Sequence, residues 1–566
     1  MNKRKVPAIL ILSIIFITLF VACSERETVK EITVSFKTDG GSKVASVNDG
    51  VVEEFPISEK DGYLIENWYF DEEKTDRVVF PFKAGESCVL YAKWISTING
   101  NSETKYVPNE DRTGYVADKY NGNAYSVCIP DVYNGMPVLG VSDYFLIKRN
   151  YVNVIYIGKF VQYVGKAFER CSVLREFQVN PENTELITDY TGALYNYDKS
   201  RLLYYPSASE NEIYALNAKA DKNAFYLCPN LKELIFDRNA EIQSAGLEKL
   251  IALEKFTVKD NNGIYKSQNG ILFSKDLKEL IRFPSAKNES AYTITDDTET
   301  IAYGAFFNSL IKQLRIGKNL KEYNDYTEAP NLENIFVDDD NPYFSDREGV
   351  LFDKDGTELL RFPCARISEY SIPDGTHTIG EFAFAESKKL VKLIMPASLK
   401  TIRGCAFYDC QRLADVNASL SVSLDYIEGN AFSGCSGLKY FTVNCAIPPY
   451  VGEEVFSVSG NRVKVIVPSN AELMYKTEWA RVDAEIIPNG LPLTEYTVTF
   501  LVDNVIYHSY HGVYLYDGVF PEKEGYVFEG WYDNEKCVGE KIEFPLIIDD
   551  HMYLYAFFEE KPQTDQ

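Results

Sequence analysis

Histidine and cysteine are the side chains best suited to proton transfer, nucleophilic attack and metal ligation near neutral pH. This 566-residue chain holds four of the first and eleven of the second. The histidines are His377, His508, His511 and His551. Only His508 and His511 lie close in sequence, three residues apart beside Tyr507 and Tyr510. They are a weak metal pair, and exposed residues are the better reading. Cys405 and Cys410 stand five apart with no histidine nearby, which does not suit a zinc site. Cys88, Cys128, Cys364, Cys445 and Cys537 have no telling spacing; oxidation outside a cytoplasm would let some pair, and the sequence assigns no partners.

Carboxylates cluster at Asp296-Asp297 and at Asp338-Asp339-Asp340-Asn341. Hard cations need oxygen ligands, but both runs lack the alternating spacing and glycine of a calcium loop. Asn341-Pro342 reads as a turn instead. No Gly-x-Ser-x-Gly elbow, phosphate-binding loop or dinucleotide fingerprint occurs. The expectation is therefore a protein that is not an enzyme, with no catalytic residue, no metal site and no cofactor. Its ligand-binding residues stay unassigned at this level.

Charge narrows the partners. The formal net charge is −25, and outside the first five residues there is no run of Lys or Arg. A nucleic-acid partner needs a basic face to neutralise phosphates, so none is expected. An acidic surface also resists adsorption to anionic lipid, so membrane attachment requires a covalent device.

One cysteine supplies it. Asn2-Lys3-Arg4-Lys5 is basic, Val6 to Ala22 is a run of 17 uncharged and mostly apolar residues, and Cys23 is followed by Ser24-Glu25-Arg26-Glu27. The run is at the lower edge of the ~20 residues that span a bilayer, and its flanks are those of a secretory signal. Leu19-Phe20-Val21-Ala22-Cys23 resembles a bacterial lipobox, with Phe20 departing from the usual leucine. The resemblance implies cleavage between Ala22 and Cys23 and a diacylglyceryl group on the Cys23 thiol. Acyl chains bury at ~0.8 kcal/mol per CH₂, so two or three hold a protein firmly.

The remaining chain is organised by repetition. Ala-Phe recurs at Ala167-Phe168, Ala224-Phe225, Ala305-Phe306, Ala383-Phe384, Ala406-Phe407 and Ala431-Phe432. Three residues after each Phe stands Cys171, Cys228, Ser309, Ser387, Cys410 or Cys435, a pattern of small buried filler rather than ligand or disulfide. Leu174, Leu231, Ile311, Leu390, Leu413 and Leu438 follow, then Phe177, Leu234, Leu314, Leu393, Val416 and Phe441. Steps of three suit a tight turn with one buried side, and the alternating tail suits a short strand. A longer period of 78 to 79 residues is set by Gly192, Gly270 and Gly349, each opening a hairpin-like unit that ends in Tyr205-Pro206, Phe283-Pro284 or Phe362-Pro363. A unit of 23 to 25 residues cannot bury its own apolar face; stacked neighbours can.

These repeats, with the opening Ile129-Pro130-Asp131, the stretch Thr378-Ile379-Gly380-Glu381-Phe382-Ala383-Phe384 and the closing Val465-Ile466-Val467-Pro468, resemble the BspA-type, or Treponema pallidum type, leucine-rich repeats over residues 110–488. The resemblance implies a solenoid with a parallel strand face and no asparagine ladder. It also implies a bacterial surface protein with a role in adhesion.

Residues 31–94 and 495–558 resemble each other. Val34-Ser35-Phe36 matches Val498-Thr499-Phe500, Trp68-Tyr69 matches Trp531-Tyr532, and Leu90-Tyr91-Ala92 matches Leu554-Tyr555-Ala556. Alternation with glycine at the turns argues small β units. They resemble the Listeria–Bacteroides, internalin B-type repeat, whose fold is β-grasp-like. Asn67 stands where that family has glycine before tryptophan. Thr97 to Thr104 and Pro488 to Pro492 read as linkers.

The fold class expected is mainly β with short helical turns: a leucine-rich-repeat solenoid (110–488) between two small β-grasp-like modules (31–94 and 495–558), after a signal peptide (1–22). The function expected is that of a surface-anchored lipoprotein adhesin. It would be exported, held to the bacterial envelope through its lipid and surface-exposed, and would bind an extracellular or host protein through the solenoid. Glycan capture and a structural envelope role are the alternatives. The adhesin reading rests on analogy of fold, which by itself does not assign function.

Overall fold

The computed structural model describes residues 32–146, 150–243, 246–325, 329–457, 462–489, 496–512, 514–515, 519–544, 546–547 and 552–560. Ala22, Cys23 and His551 lie outside the described residues. The chain divides into two compact units, one running to Lys199 and the other from Glu210 onward, with the intervening ten residues shared between them. The described residues are mainly β and hold one short α-helix, Glu472–Glu478.

The first unit opens with a module of five strands: β1 (Val34–Lys37), β2 (Val51–Val52), β3 (Tyr63–Tyr69), β4 (Phe82–Lys83) and β5 (Cys88–Ser96). β5 is central, parallel to β1 and antiparallel to β3, as in a β-grasp sheet. Alternation puts Val34, Trp68, Leu90 and Ala92 inward, all fully buried. The Trp68 indole N–H, which burial would leave unpaired, donates to the Pro56 carbonyl at 2.8 Å. The second module repeats the device. Trp531 Nε1 donates to the Val519 carbonyl at 2.6 Å, and Val498, Phe500 and Leu554 are fully buried around it.

Thr97 to Thr104 differs from the linker expected. Thr97 N–H donates to the Gly62 carbonyl at 3.1 Å, and the Asn101 carboxamide is buried between Ser126 and Cys128 backbone groups at 3.3 and 2.7 Å. Thr97 and Asn101 thus bond to the folded chain, while Asn99, Ser102 and Glu103 face solvent.

The Ala-Phe units form coils that each place one strand in each of two sheets. In the second unit one sheet runs Glu369–Ser371, Lys392–Ile394, Asp415–Ala418, Tyr440–Val443, Val463–Val467 and Ala484–Pro488, all parallel. The other carries the two-residue strands Thr378–Ile379, Thr401–Ile402, Tyr426–Ile427 and Tyr450–Val451 in parallel register. Between them the phenylalanines of the dipeptides stack: Phe384 on Phe407 at 4.9 Å and Phe407 on Phe432 at 4.7 Å, planes 3° apart in the second pair. That spacing is the separation of neighbouring strands. One buried ring per coil keeps the stack in register, at ~1.5–3 kcal/mol per side chain.

The longer period is structural as well. Tyr265–Gln268, Ile271–Ser274 and Glu279–Arg282 form an antiparallel meander, and Phe344–Arg347, Val350–Asp353 and Glu358–Arg361 repeat it. Asn269-Gly270 turns the first hairpin with both φ angles positive, the combination that a tight two-residue hairpin turn requires. Each meander is tied to the next Ala-Phe turn. Arg282, almost fully buried, donates to the carbonyls of Gly304 and Phe307, the latter at 3.0 Å. Arg361 donates to the Phe382 carbonyl at 2.9 Å. Tyr204, at the equivalent position one period earlier, reaches back instead to the preceding Ala-Phe turn, donating to the Gly165 carbonyl at 2.6 Å.

An asparagine series also occurs, contrary to expectation, at the long period rather than at every coil. Asn183, Asn262 and Asn341 are buried and each makes the same four bonds. Asn262 Nδ2 donates to the Asp237 and Ala240 carbonyls at 2.8 and 3.1 Å, and its Oδ1 accepts from the Ile264 and Tyr265 amides at 2.9 Å. Asn183 and Asn341 do likewise with their own coils.

Candidate binding surface

The residues singled out for chemistry do not converge. His377 is exposed in a coil turn, and His508 is exposed on the strand Val505–Gly512, which also contains His511. Among the described residues no group of three or more His, Cys, Asp or Glu side chains is placed to hold a metal. The cysteines at the repeat position are buried, and burial pushes the Cys171 and Cys228 thiols up to about 12. The Cys410 and Cys435 thiols donate to the Phe384 and Phe407 carbonyls of the preceding coil, both at 3.1 Å. They are filler that satisfies a carbonyl, not nucleophiles.

In each acidic run one member is engaged by the protein's own groups. Asn341 spends its carboxamide on four backbone partners. Asp296 pairs with Lys318 at 3.0 Å, and Glu299 pairs with both Lys278 and Lys321, at 2.9 and 2.6 Å. The lysines hold the Glu299 carboxyl below the usual carboxylate range. These are exposed inter-coil pairs, individually worth little in stability.

What the coils do present outward is aromatic. On the sheet of two-residue strands, Ile379, Ile402, Ile427 and Val451 point inward, and the preceding residues form an outer row: Thr378, Thr401, Tyr426 and Tyr450. Tyr426 and Tyr450 are 41% and 61% exposed, yet their rings stack at 4.9 Å with planes 11° apart. On the other sheet Tyr440 is exposed in register between Asp415 and Lys464. Tyrosine in such a row offers rigid, amphipathic contact area with few rotamers to freeze. The sequence signal was Tyr426-Ile427 and Tyr450-Val451 standing where the neighbouring coils have Thr378-Ile379 and Thr401-Ile402. It was legible only once the repeat had been aligned.

Comparison with known proteins agrees with this geometry. Six copies of the BspA type leucine-rich repeat region match residues 141–269 and 361–479. The solenoid is built of BspA-type leucine-rich repeats. Residues 270–360, between the matched stretches of the BspA-type solenoid, carry the same paired strands and the second meander. The Listeria-Bacteroides repeat domain matches 33–93 and 496–557, so the two end modules are copies of one fold.

Among solved structures, a leucine-rich cell surface protein of Faecalibacterium prausnitzii is 19% identical, covering 69% of this chain and 94% of its own at a TM-score of 0.33. A leucine-rich-repeat protein of Eubacterium ventriosum is 15% identical over 63% of this chain and 93% of its own, TM-score 0.32. The leucine-rich-repeat protein of T. pallidum is 13% identical over 60% and 90%, TM-score 0.15. A curated relative from Evansella cellulosilytica is 38% identical over 89 residues; the match spans 14% of this chain and 13% of that relative. Among the described residues no helix is long and apolar enough to cross a membrane.

Proposed function

We propose that this chain is an exported bacterial envelope protein, anchored through a lipid on Cys23, that binds an extracellular or host protein without catalysis. The observation that carries the reading is the stacked, exposed pair Tyr426 and Tyr450 on the outer row of the BspA-type solenoid. Protein interfaces are enriched in tyrosine, and a few aromatic anchors carry most of the binding energy. Here the two rings are held parallel by the coil spacing, so little conformational freedom is lost when a partner covers them. The acidic balance of the chain suits a partner with a basic rim, and long-range attraction of that kind weakens as salt is added.

The end modules fit the same reading as rigid accessory units, and the signal sequence and Cys23 would bring the assembly to the envelope. The test is binding of the chain to a panel of purified extracellular-matrix proteins, compared with a variant in which Tyr426 and Tyr450 are both serine.

A further inference from the structure

The first module differs from the second at one position that bears on binding. In β3 a bulge makes Glu66 the extra residue: Ile65 pairs with Trp94 and Asn67 with Lys93. Bulges re-aim side chains and recur next to functional sites. The second module keeps the bulge, with Phe528 opposite Phe558 and Gly530 opposite Phe557. There Lys541 lies across the glycine, so closely that a Cβ on Gly530 would sit 2.0 Å from its Cε. Arg77 holds the equivalent place in the first module. The next residue shows it: Val78 N–H donates to the Trp68 carbonyl at 2.9 Å as Ile542 N–H does to Trp531 at 2.8 Å. A side chain cannot lie across Asn67 as Lys541 lies across Gly530, because Asn67 carries a Cβ there, and Arg77 Nη1 donates to the Asn123 carbonyl.

The Asn67 side chain takes that space. Asn67 is only 4% exposed, and its Nδ2 completes no hydrogen bond of ordinary geometry, the Tyr69 hydroxyl being its polar neighbour within the module. A buried amide without an acceptor costs about 1–3 kcal/mol, and native proteins keep few of them. Asn67 lines a cleft of about 320 Å³ between the module and the first coil of the solenoid, all within the first unit. That volume is at the low end of the ~300–1,000 Å³ typical of small-molecule sites. The walls are fixed: the bulged Glu66 carbonyl accepts from the Tyr125 amide at 2.8 Å, and Phe55 stacks on Tyr125 with centroids 3.5 Å apart.

The lining chemistry selects among ligands. Asn123, Asn150 and Asn153 stand with Asn67 around the cleft. Carboxamides donate and accept, as hydroxyl groups do. Among the described residues the charged lining groups balance, Glu53 and Glu54 against Arg77 and Arg175, with Arg175 and Glu54 3.9 Å apart. Such a lining has no excess of one sign to select an anion or a cation. The half-buried ring of Phe55 supplies an apolar wall.

We infer that this cleft binds a neutral sugar of one or two rings, with Asn67 Nδ2 donating to a sugar oxygen and the ring of Phe55 against an apolar sugar face. This site is separate from the tyrosine row of the solenoid and does not depend on it.

The experiment is saturation-transfer NMR and calorimetry on the detergent-solubilised full chain. The probes are a panel of neutral monosaccharides and disaccharides, with sialic acid, glucosamine and a mixed peptide library as charged and non-sugar probes. The expected result is saturable binding of at least one neutral sugar, weakened tenfold or more in Asn67→Gly and in Asn150→Ala, and unchanged in the double variant of Tyr426 and Tyr450. Circular dichroism and Tm establish that each variant is folded, and Asn150, being exposed, is the variant that survives if Asn67→Gly does not. Three outcomes would overturn the inference: no saturable binding of any neutral sugar, binding confined to the charged or peptide probes, or neutral-sugar binding that the folded variants leave unchanged.

Discussion

Tyr426 and Tyr450 lie ring over ring on adjacent coils, centroids 4.9 Å apart and planes 11° from parallel, while each remains exposed. The interior uses the same spacing for Phe407 over Phe432, at 4.7 Å. One lattice, set by the strand separation, therefore orders both the core and the surface. The core column holds the coils together. The surface pair is ordered at no further cost, and a partner that covers it meets a preformed face.

Asn262 should matter out of proportion to its size. Its carboxamide bonds two carbonyls and two amides of its coil, of which the Asp237 carbonyl also accepts from the Ala240 amide at 3.1 Å. Asn262→Ala removes these four bonds at once, at ~1–3 kcal/mol for each group then left dry and unpaired. We expect a loss of about 3 kcal/mol in urea unfolding. Amide hydrogen exchange should show it as local opening around residues 237–265, because stability in a solenoid is a sum over neighbours. Unchanged exchange in that stretch would contradict the role given to the series.

Ser387 predicts a gain. It is fully buried at the position where Cys410 donates a thiol to a coil carbonyl, but its own hydroxyl has no hydrogen-bond partner. Ser387→Ala removes that unpaired group for a small loss of volume. The expected shift is a stabilisation of about 1 kcal/mol, read from the denaturation midpoint at constant slope. A destabilised variant would mean that the hydroxyl is satisfied.

Asp415 sets a pH dependence whose sign can be worked out. Burial is the main cause that raises its carboxyl above the usual carboxylate range, and Lys392 offsets this only in part. A carboxylate with a raised folded pKa binds protons more tightly when folded, so it costs stability above its folded pKa and nothing below its unfolded value. Asp415→Asn should therefore be more stable than the parent at pH 7. The difference should shrink as pH falls through the folded pKa and be lost below the unfolded one. A difference that grows on acidification would reverse the assignment.

Cys23 carries the anchoring proposal. Replaced by alanine, it should release the chain from the membrane fraction into the soluble fraction of the envelope, because no lipid can be attached. Metabolic labelling with a fatty acid should mark the parent and not the variant. Membrane retention of the variant only by detergent extraction would show another anchor.

The sequence made the coils legible because each repeats a volume and a polarity: Ala-Phe, then a small residue, then leucine. Periodic burial leaves that trace whatever the fold does elsewhere, and the modules announced themselves through Trp68 and Trp531 in the same way. Three features escaped. Asn341 reads as a turn residue and Asn183 and Asn262 draw no reading at all, because hydrophobicity carries no record of a buried carboxamide with four partners. Thr97 to Thr104 looked like a linker for the same reason, Asn101 being buried by hydrogen bonds. Asn67 reads only as a departure from a family glycine. In the structure it is the group that faces the cleft, which depends on where Arg77 and Tyr125 are placed by distant parts of the chain.

The most direct test of the protein-binding reading is surface plasmon resonance of the lipid-free chain against a panel of purified extracellular-matrix proteins, run at low and physiological salt. The parent should bind at least one protein saturably, and the variant with Tyr426 and Tyr450 both changed to serine should bind it tenfold or more weakly with its Tm unchanged. Equal binding by parent and folded variant, or no saturable binding to any protein of the panel, would contradict the account.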